Sequence, residues 1–170
     1  MRGGATRSVV VAALVAVAVT GCAGTRIENG VFHSEKGYRV SVPAGWIMTH
    51  DAQADLTLKH RDGRHAMLVN ASCGPARQRG PLAALARHLL SGLRERSVVT
   101  REDVSVNGQV ARHAVIDGRM GDTGEPVRLE LYVMRDERCL YDFLYVAPPE
   151  AFDAERPAFE RLVREFRTGD

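Results

Sequence analysis

Polar and apolar positions along this chain follow two periods, and the switches between them mark out its elements. Val31-Phe32-His33-Ser34 and Tyr38-Arg39-Val40-Ser41-Val42 read as strands around a turn at Lys36-Gly37, with Pro43 ending the second. Leu56-Thr57-Leu58-Lys59-His60 and Ala66-Met67-Leu68-Val69 flank Asp62-Gly63. Asp-Gly between apolar runs signals a hairpin, because the central positions of a tight turn favour positive φ. The period then lengthens. Leu82, Leu85, Leu89 and Leu93 recur at helical spacing behind Pro81, and Leu90 widens the stripe. Strands resume over 103–106, turn at Asn107-Gly108 and return over 110–116, before a glycine-rich loop from Gly118 to Glu125. Val127, Leu129, Leu131 and Val133 alternate with Arg128 and Glu130, the pattern of a strand with one buried face. Residues 139–146 are apolar at both parities, which predicts cover on both faces. Pro148-Pro149 stops that run, and Phe152, Phe159, Leu162, Val163 and Phe166 stripe a closing helix.

The predicted order is four strands, a helix, four strands and a helix. Hairpin connections imply an antiparallel sheet, and two amphipathic helices need its faces as partners. The fold class expected is therefore α+β, an antiparallel sheet covered by helices in an α/β/α sandwich. The doubly apolar last strand places the helices on opposite faces.

A different pattern precedes the first strand. Arg2 and Arg7 stand before an unbroken apolar run over 9–19, and Thr20-Gly21-Cys22 follows. A basic start, a short apolar core and small residues at a cut make an export signal. The run is too short to span a bilayer, which takes about 20 apolar residues. With its cysteine, Val19-Thr20-Gly21-Cys22 resembles the lipobox of bacterial lipoproteins. That resemblance implies a Cys22 thiol carrying diacylglycerol, cleavage before Cys22 and an acylated amino terminus, so the partner there is membrane lipid. Ala23, rather than Asp, follows the cysteine, similar to the outer-membrane pattern of proteobacterial lipoproteins. Residues 1–21 are thus read as a leader, 22–30 as a short tether and 31–170 as one domain.

The leader also settles the charge. The chain has 23 basic and 21 acidic residues, and losing Arg2 and Arg7 leaves 21 against 21. A near-neutral domain without a basic stripe does not suit nucleic acid. With Cys22 set aside, Cys73 and Cys139 remain. In an exported chain they are either a disulfide or two separately buried thiols, and spacing alone does not choose.

Two stretches carry a family resemblance. Phe32-His33-Ser34 leads through Gly37-Tyr38-Arg39-Val40-Ser41-Val42-Pro43-Ala44-Gly45-Trp46, and at the other end Tyr141 to Pro148 precedes Phe159-Glu160-Arg161-Leu162-Val163-Arg164-Glu165-Phe166. Together they resemble the PsbP-like fold, shared by photosystem PsbP subunits, the Ran-binding Mog protein and many bacterial lipoproteins. The resemblance implies a sandwich used mainly for binding or assembly. Its matching positions are structural, so it assigns no functional residue.

Chemistry is sparse. His60-Arg61-Asp62-Gly63-Arg64-His65 places two histidines across a hairpin, where they offer two metal ligands with a carboxylate as a third; a solvated hairpin tip is the alternative. The loop bearing Arg119, Asp122 and Thr123 leads into a strand rather than a helix, so it is read as a partner-contact loop and not a phosphate cradle. No nucleophile elbow or cofactor fingerprint occurs. Asp142, inside an apolar strand, is the oddest polar residue, and Trp46 is read as packing under the sheet edge. The expectation is a non-catalytic lipoprotein without a cofactor, binding an envelope protein. The alternatives are a small hydrolase or metal-binding protein using His60 and His65, and a lipid or isoprenoid carrier.

Overall fold

A computed structural model of the chain describes residues 25–50, 54–75 and 79–169. The leader and Cys22 lie outside the described residues. The elements are β1 (Arg26–Glu28), β2 (Val31–His33), β3 (Tyr38–Ser41), β4 (Trp46–Thr49), β5 (Leu56–His60), β6 (Ala66–Cys73), α1 (Leu82–His88), β7 (Leu93–Val106), β8 (Gln109–Met120), β9 (Pro126–Arg135), β10 (Cys139–Ala147), α2 (Phe152–Glu165) and β11 (Arg167–Thr168). All strand pairs are antiparallel, and the fold is α+β with a helix on each face of the main sheet.

The strands form two sheets rather than one. A seven-stranded sheet runs β4-β5-β6-β10-β9-β8-β7, and a four-stranded one runs β1-β2-β3-β11. The alternation of β10 shows why two cores exist. Cys139, Tyr141, Phe143, Tyr145 and Ala147 face α2 and the small sheet, in a core with Phe32, Tyr38, Val40, Phe159 and Phe166. Leu140, Leu144 and Val146 face the other way, in a core with Leu131 and Ala86 of α1. A strand covered on both faces must be apolar on both, as β10 is.

Several boundaries differ from expectation, each for a local reason. Residues 26–28, expected in the tether, pair with Val31–His33, so the first strand begins five residues before the predicted domain start. β4 was hidden because Trp46-Ile47-Met48-Thr49 is too short and too apolar to show alternation. Leu93 does not close the first helix; it is buried as the first residue of β7. Gly118 and Arg119 extend β8 instead of opening a loop. A Cβ on Gly118 would lie 2.6 Å from Leu93 Cγ, so the glycine marks close approach inside a strand rather than a turn. The Asn107-Gly108 hairpin forms as predicted, both residues at positive φ.

Cys73 and Cys139 oppose each other in the β6–β10 register and form a disulfide across 66 residues of sequence. Trp46 is buried in the core and rests 6.4 Å, centroid to centroid, from Tyr145. No helix among the described residues is long and apolar enough to cross a membrane.

Candidate functional site

The β5–β6 hairpin ends in a turn whose geometry is set by Asp62. The Asp62 carboxylate accepts the Arg64 N–H at 2.9 Å, an Asx-type turn, and Gly63 takes the positive φ that follows. The turn draws three ligand-type groups together. His60 Nδ1 lies 3.0 Å from Asp62 Oδ1, and His65 Nδ1 lies 3.0 Å from Asp62 Oδ2. Hydrogen bonding by the Arg64 N–H, and after it the two imidazoles close to its oxygens, hold the Asp62 carboxyl well below the usual carboxylate range. His65 is buried at 4% exposure, in a parallel offset over Tyr145, while His60 packs against Trp46 with ring centroids 5.4 Å apart.

The far nitrogens of the two rings have partners on α2 and the turn before it. His65 Nε2 lies 3.1 Å from the Ala151 carbonyl oxygen. His60 Nε2 lies 3.7 Å from Glu155 Oε1, and the other Glu155 oxygen accepts the Trp46 indole N–H at 3.3 Å. The tip of the hairpin is therefore packed against the start of α2 and is not simply solvated.

A second histidine cluster was invisible in the sequence. His113 of β8 lies between Glu130 Oε1 at 2.7 Å from Nε2 and Glu102 Oε1 at 3.2 Å from Nδ1, and it stacks on Tyr132 at 4.4 Å. Both ring nitrogens face carboxylates, which favours the imidazolium form. Burial alone would lower its pKa; hydrogen bonds to Glu130 and Glu102 outweigh that and raise it. Glu130 is fully buried and also accepts Arg156 Nε at 3.1 Å, and Arg156 pairs with Glu160 at 3.2 Å. The alternation of β9 predicts a solvent face for Glu130. That face is instead covered by α2. Tyr132 and Met134, at the same parity as Glu130, were the available signal.

The other predicted positions are dispersed. Arg119 pairs with Glu95 at 3.1 Å and donates to the Gly124 carbonyl at 2.9 Å. Asp122 accepts the Thr123 N–H at 2.9 Å, and the Thr123 hydroxyl bonds Glu125 at 3.3 Å. The three sit exposed at one end of the β8–β9 hairpin and are bonded mostly to their own loop. Asp142 is 8% exposed on the α1 face of the sheet, where burial raises its carboxyl to about 6. An open groove of about 680 Å³ lies beside the hairpin, lined by Lys59, Arg64, His65, Val127, Val146 and Pro148 among others.

β7 is one of the two edge strands of the large sheet and is exposed along most of its 14-residue length. Val98 and Val99 stand 46% and 53% exposed, with Arg94, Glu95, Arg96, Arg101 and Glu102 along the same strand. Breaks in the β7–β8 register fall between Arg94 and Ser97 and between Val98 and Thr100. Charges and bulges on an edge strand hinder indiscriminate strand addition.

No protein-family model and no curated protein matches the sequence. Solved structures do match the fold. The solution structure of cyanobacterial PsbP (CyanoP) from Synechocystis sp. PCC 6803 superposes with a TM-score of 0.62 at 17% identity, covering 91% of this chain and 98% of that one. LpqN, involved in cell envelope biogenesis of Mycobacterium tuberculosis, gives a TM-score of 0.60 at 9% identity, over 78% of this chain and 83% of that one. A protein from Bacteroides thetaiotaomicron gives 0.61 at 11% identity, over 85% of this chain and 50% of that one. At these identities the likeness establishes a PsbP-like fold and leaves the activity to be argued from the chain's own residues.

Proposed function

We propose that this protein is a lipid-anchored, non-catalytic binding or assembly module of the cell envelope, whose partner is a protein that contacts the β7 edge and the neighbouring loop 121–125. The observation that carries the reading is β7 itself: an exposed edge strand of 14 residues with two exposed valines among charged neighbours. An apolar centre with a charged rim is the anatomy of a protein contact. The bulges disfavour plain strand addition, so recognition runs through side chains. Two further facts support the setting. The segment ending in Cys22 resembles a lipobox, and LpqN, of the same fold, is involved in cell envelope biogenesis. The anchor holds the domain at the bilayer, because acyl chains contribute about 0.8 kcal/mol per buried CH₂ and two or three chains bind firmly.

The test is site-specific photo-crosslinking of the full chain in native envelope membranes. A photoreactive residue at Val99 is expected to give a discrete cross-linked protein, and one at exposed Arg161 on α2 is not. Equal yields at the two sites would remove the β7 reading. The anchor is tested by fractionation: Cys22→Ala should move the chain out of the membrane pellet, and an unchanged pellet would refute lipidation.

A further inference from the structure

We infer that the β5–β6 hairpin tip is a binding site for one borderline divalent transition-metal ion, zinc in the first instance, held by His60 Nδ1, His65 Nδ1 and an Asp62 carboxylate oxygen. The convergence comes first. The three ligand atoms lie within 4.8 Å of one another, and each imidazole nitrogen is 3.0 Å from the carboxylate. Ligands about 2.0–2.1 Å from a tetrahedral ion stand about 3.3 Å apart, so a small outward adjustment admits the ion.

Proton placement points the same way. His65 Nε2 faces the Ala151 carbonyl, which accepts only, so a ring protonated at Nε2 keeps that contact while Nδ1 serves as the ligating nitrogen beside Asp62, 3.1 Å away. At His60 the Glu155 carboxylate stands farther back, 3.7 Å from Nε2, and is itself fixed by the Trp46 indole. A divalent cation among the three groups takes the place of any proton between Nδ1 and the carboxylate and offsets the repulsion of the two lone pairs. His60 Nδ1 is moreover a buried atom without a hydrogen-bond partner: Asp62 Oδ1 is 3.0 Å away but out of line. A carbonyl and a carboxylate behind two ligating imidazoles are the outer contacts that orient histidines at metal sites. Binding three groups from one hairpin leaves a fourth position for water, on the side where Asp62 is exposed.

The site reports on itself, since Trp46 is the only tryptophan and lies against His60. Full-length protein in detergent, stripped with a chelator, is titrated with Co²⁺ while Trp46 fluorescence and visible absorption are followed. Quenching that saturates at one equivalent, with the intense visible bands of a low-coordinate cobalt site, and reversal by Zn²⁺ are expected. Asp62→Asn, at an exposed position, should fold normally and weaken binding at least tenfold. Glu155→Gln should weaken it by about 10–100-fold, as outer contacts of metal-ligating histidines do. The inference is overturned if Asp62→Asn titrates like the wild type, or if no quenching occurs up to 100-fold excess Co²⁺.

Discussion

The two histidine clusters use the same residue types for opposite ends. At the β8–β9 cluster, His113 lies between two carboxylates, and Arg156 brings a second positive charge to the buried Glu130. Every hydrogen-bonding position of the ring is taken, and the charges alternate through Glu102, His113, Glu130, Arg156 and Glu160. Such a network ties α2 to the sheet and leaves nothing for a ligand. At the hairpin tip, two imidazoles share one carboxylate with no guanidinium between them, and one buried ring nitrogen has no hydrogen-bond partner. The difference teaches that a histidine beside an acid is not by itself a site. What decides is where the second ring nitrogen points and whether an arginine completes the charge balance.

The largest break in this comparison should come from Glu130→Gln. It leaves His113 and Arg156 as uncompensated charges under α2, and losing one partner of a buried ion pair costs about 3–5 kcal/mol. Urea unfolding at pH 6 should show that loss; a change below about 1 kcal/mol would mean the network does not hold α2. Asp142 extends the comparison to an acid raised by burial alone. Its folded-state value near 6 lies above the ordinary value of 3.8, so ionisation opposes folding as pH rises from about 4 to 6. Asp142→Asn should therefore stabilise the protein by about 2–3 kcal/mol at pH 7.5 and by almost nothing at pH 3.5. Equal effects at the two pH values would assign the gain to packing.

His113 gives a smaller effect of opposite slope. Its pKa is raised, so its stabilising charge is fully present below about 6.5 and is lost as pH climbs through the higher folded-state value. His113→Gln should destabilise more at pH 6 than at pH 9.5, read as the difference between the two melting curves. A pH-independent difference would contradict the imidazolium. The smallest stability effect belongs to Asp62→Asn without added metal. Being exposed at a hairpin tip, it should leave the melting temperature nearly unchanged. A fall in melting temperature as large as that of Glu130→Gln would turn the hairpin cluster into a structural tie like the other.

Much of the fold was legible because it is written locally. The apolar stripe of α2, the double parity of β10 and the Asn107-Gly108 turn each depend on residues within a few positions of one another. The hairpin cluster was legible for the same reason, since its three ligand groups fall within six residues. Trp46 and Glu155 were not, being brought together across 109 residues. The His113 cluster was hidden by its separations of 11, 17 and 26 residues, and by a Glu130 that looks solvent-facing when β9 is read alone.

The sequence by itself determined the period of each element, the antiparallel hairpins, the cysteine pair available for bridging and the residue types at the hairpin tip. Only the tertiary structure decided which polar positions are dry. It sealed Glu130 beneath α2, split the strands into two sheets, joined Cys73 to Cys139 and set the Ala151 carbonyl and Glu155 behind the two imidazoles. The physical reason is that periodicity records the face on which a side chain lies. What covers that face is fixed by the register of strands and the seating of a helix far away in sequence, and burial and protonation follow from the cover.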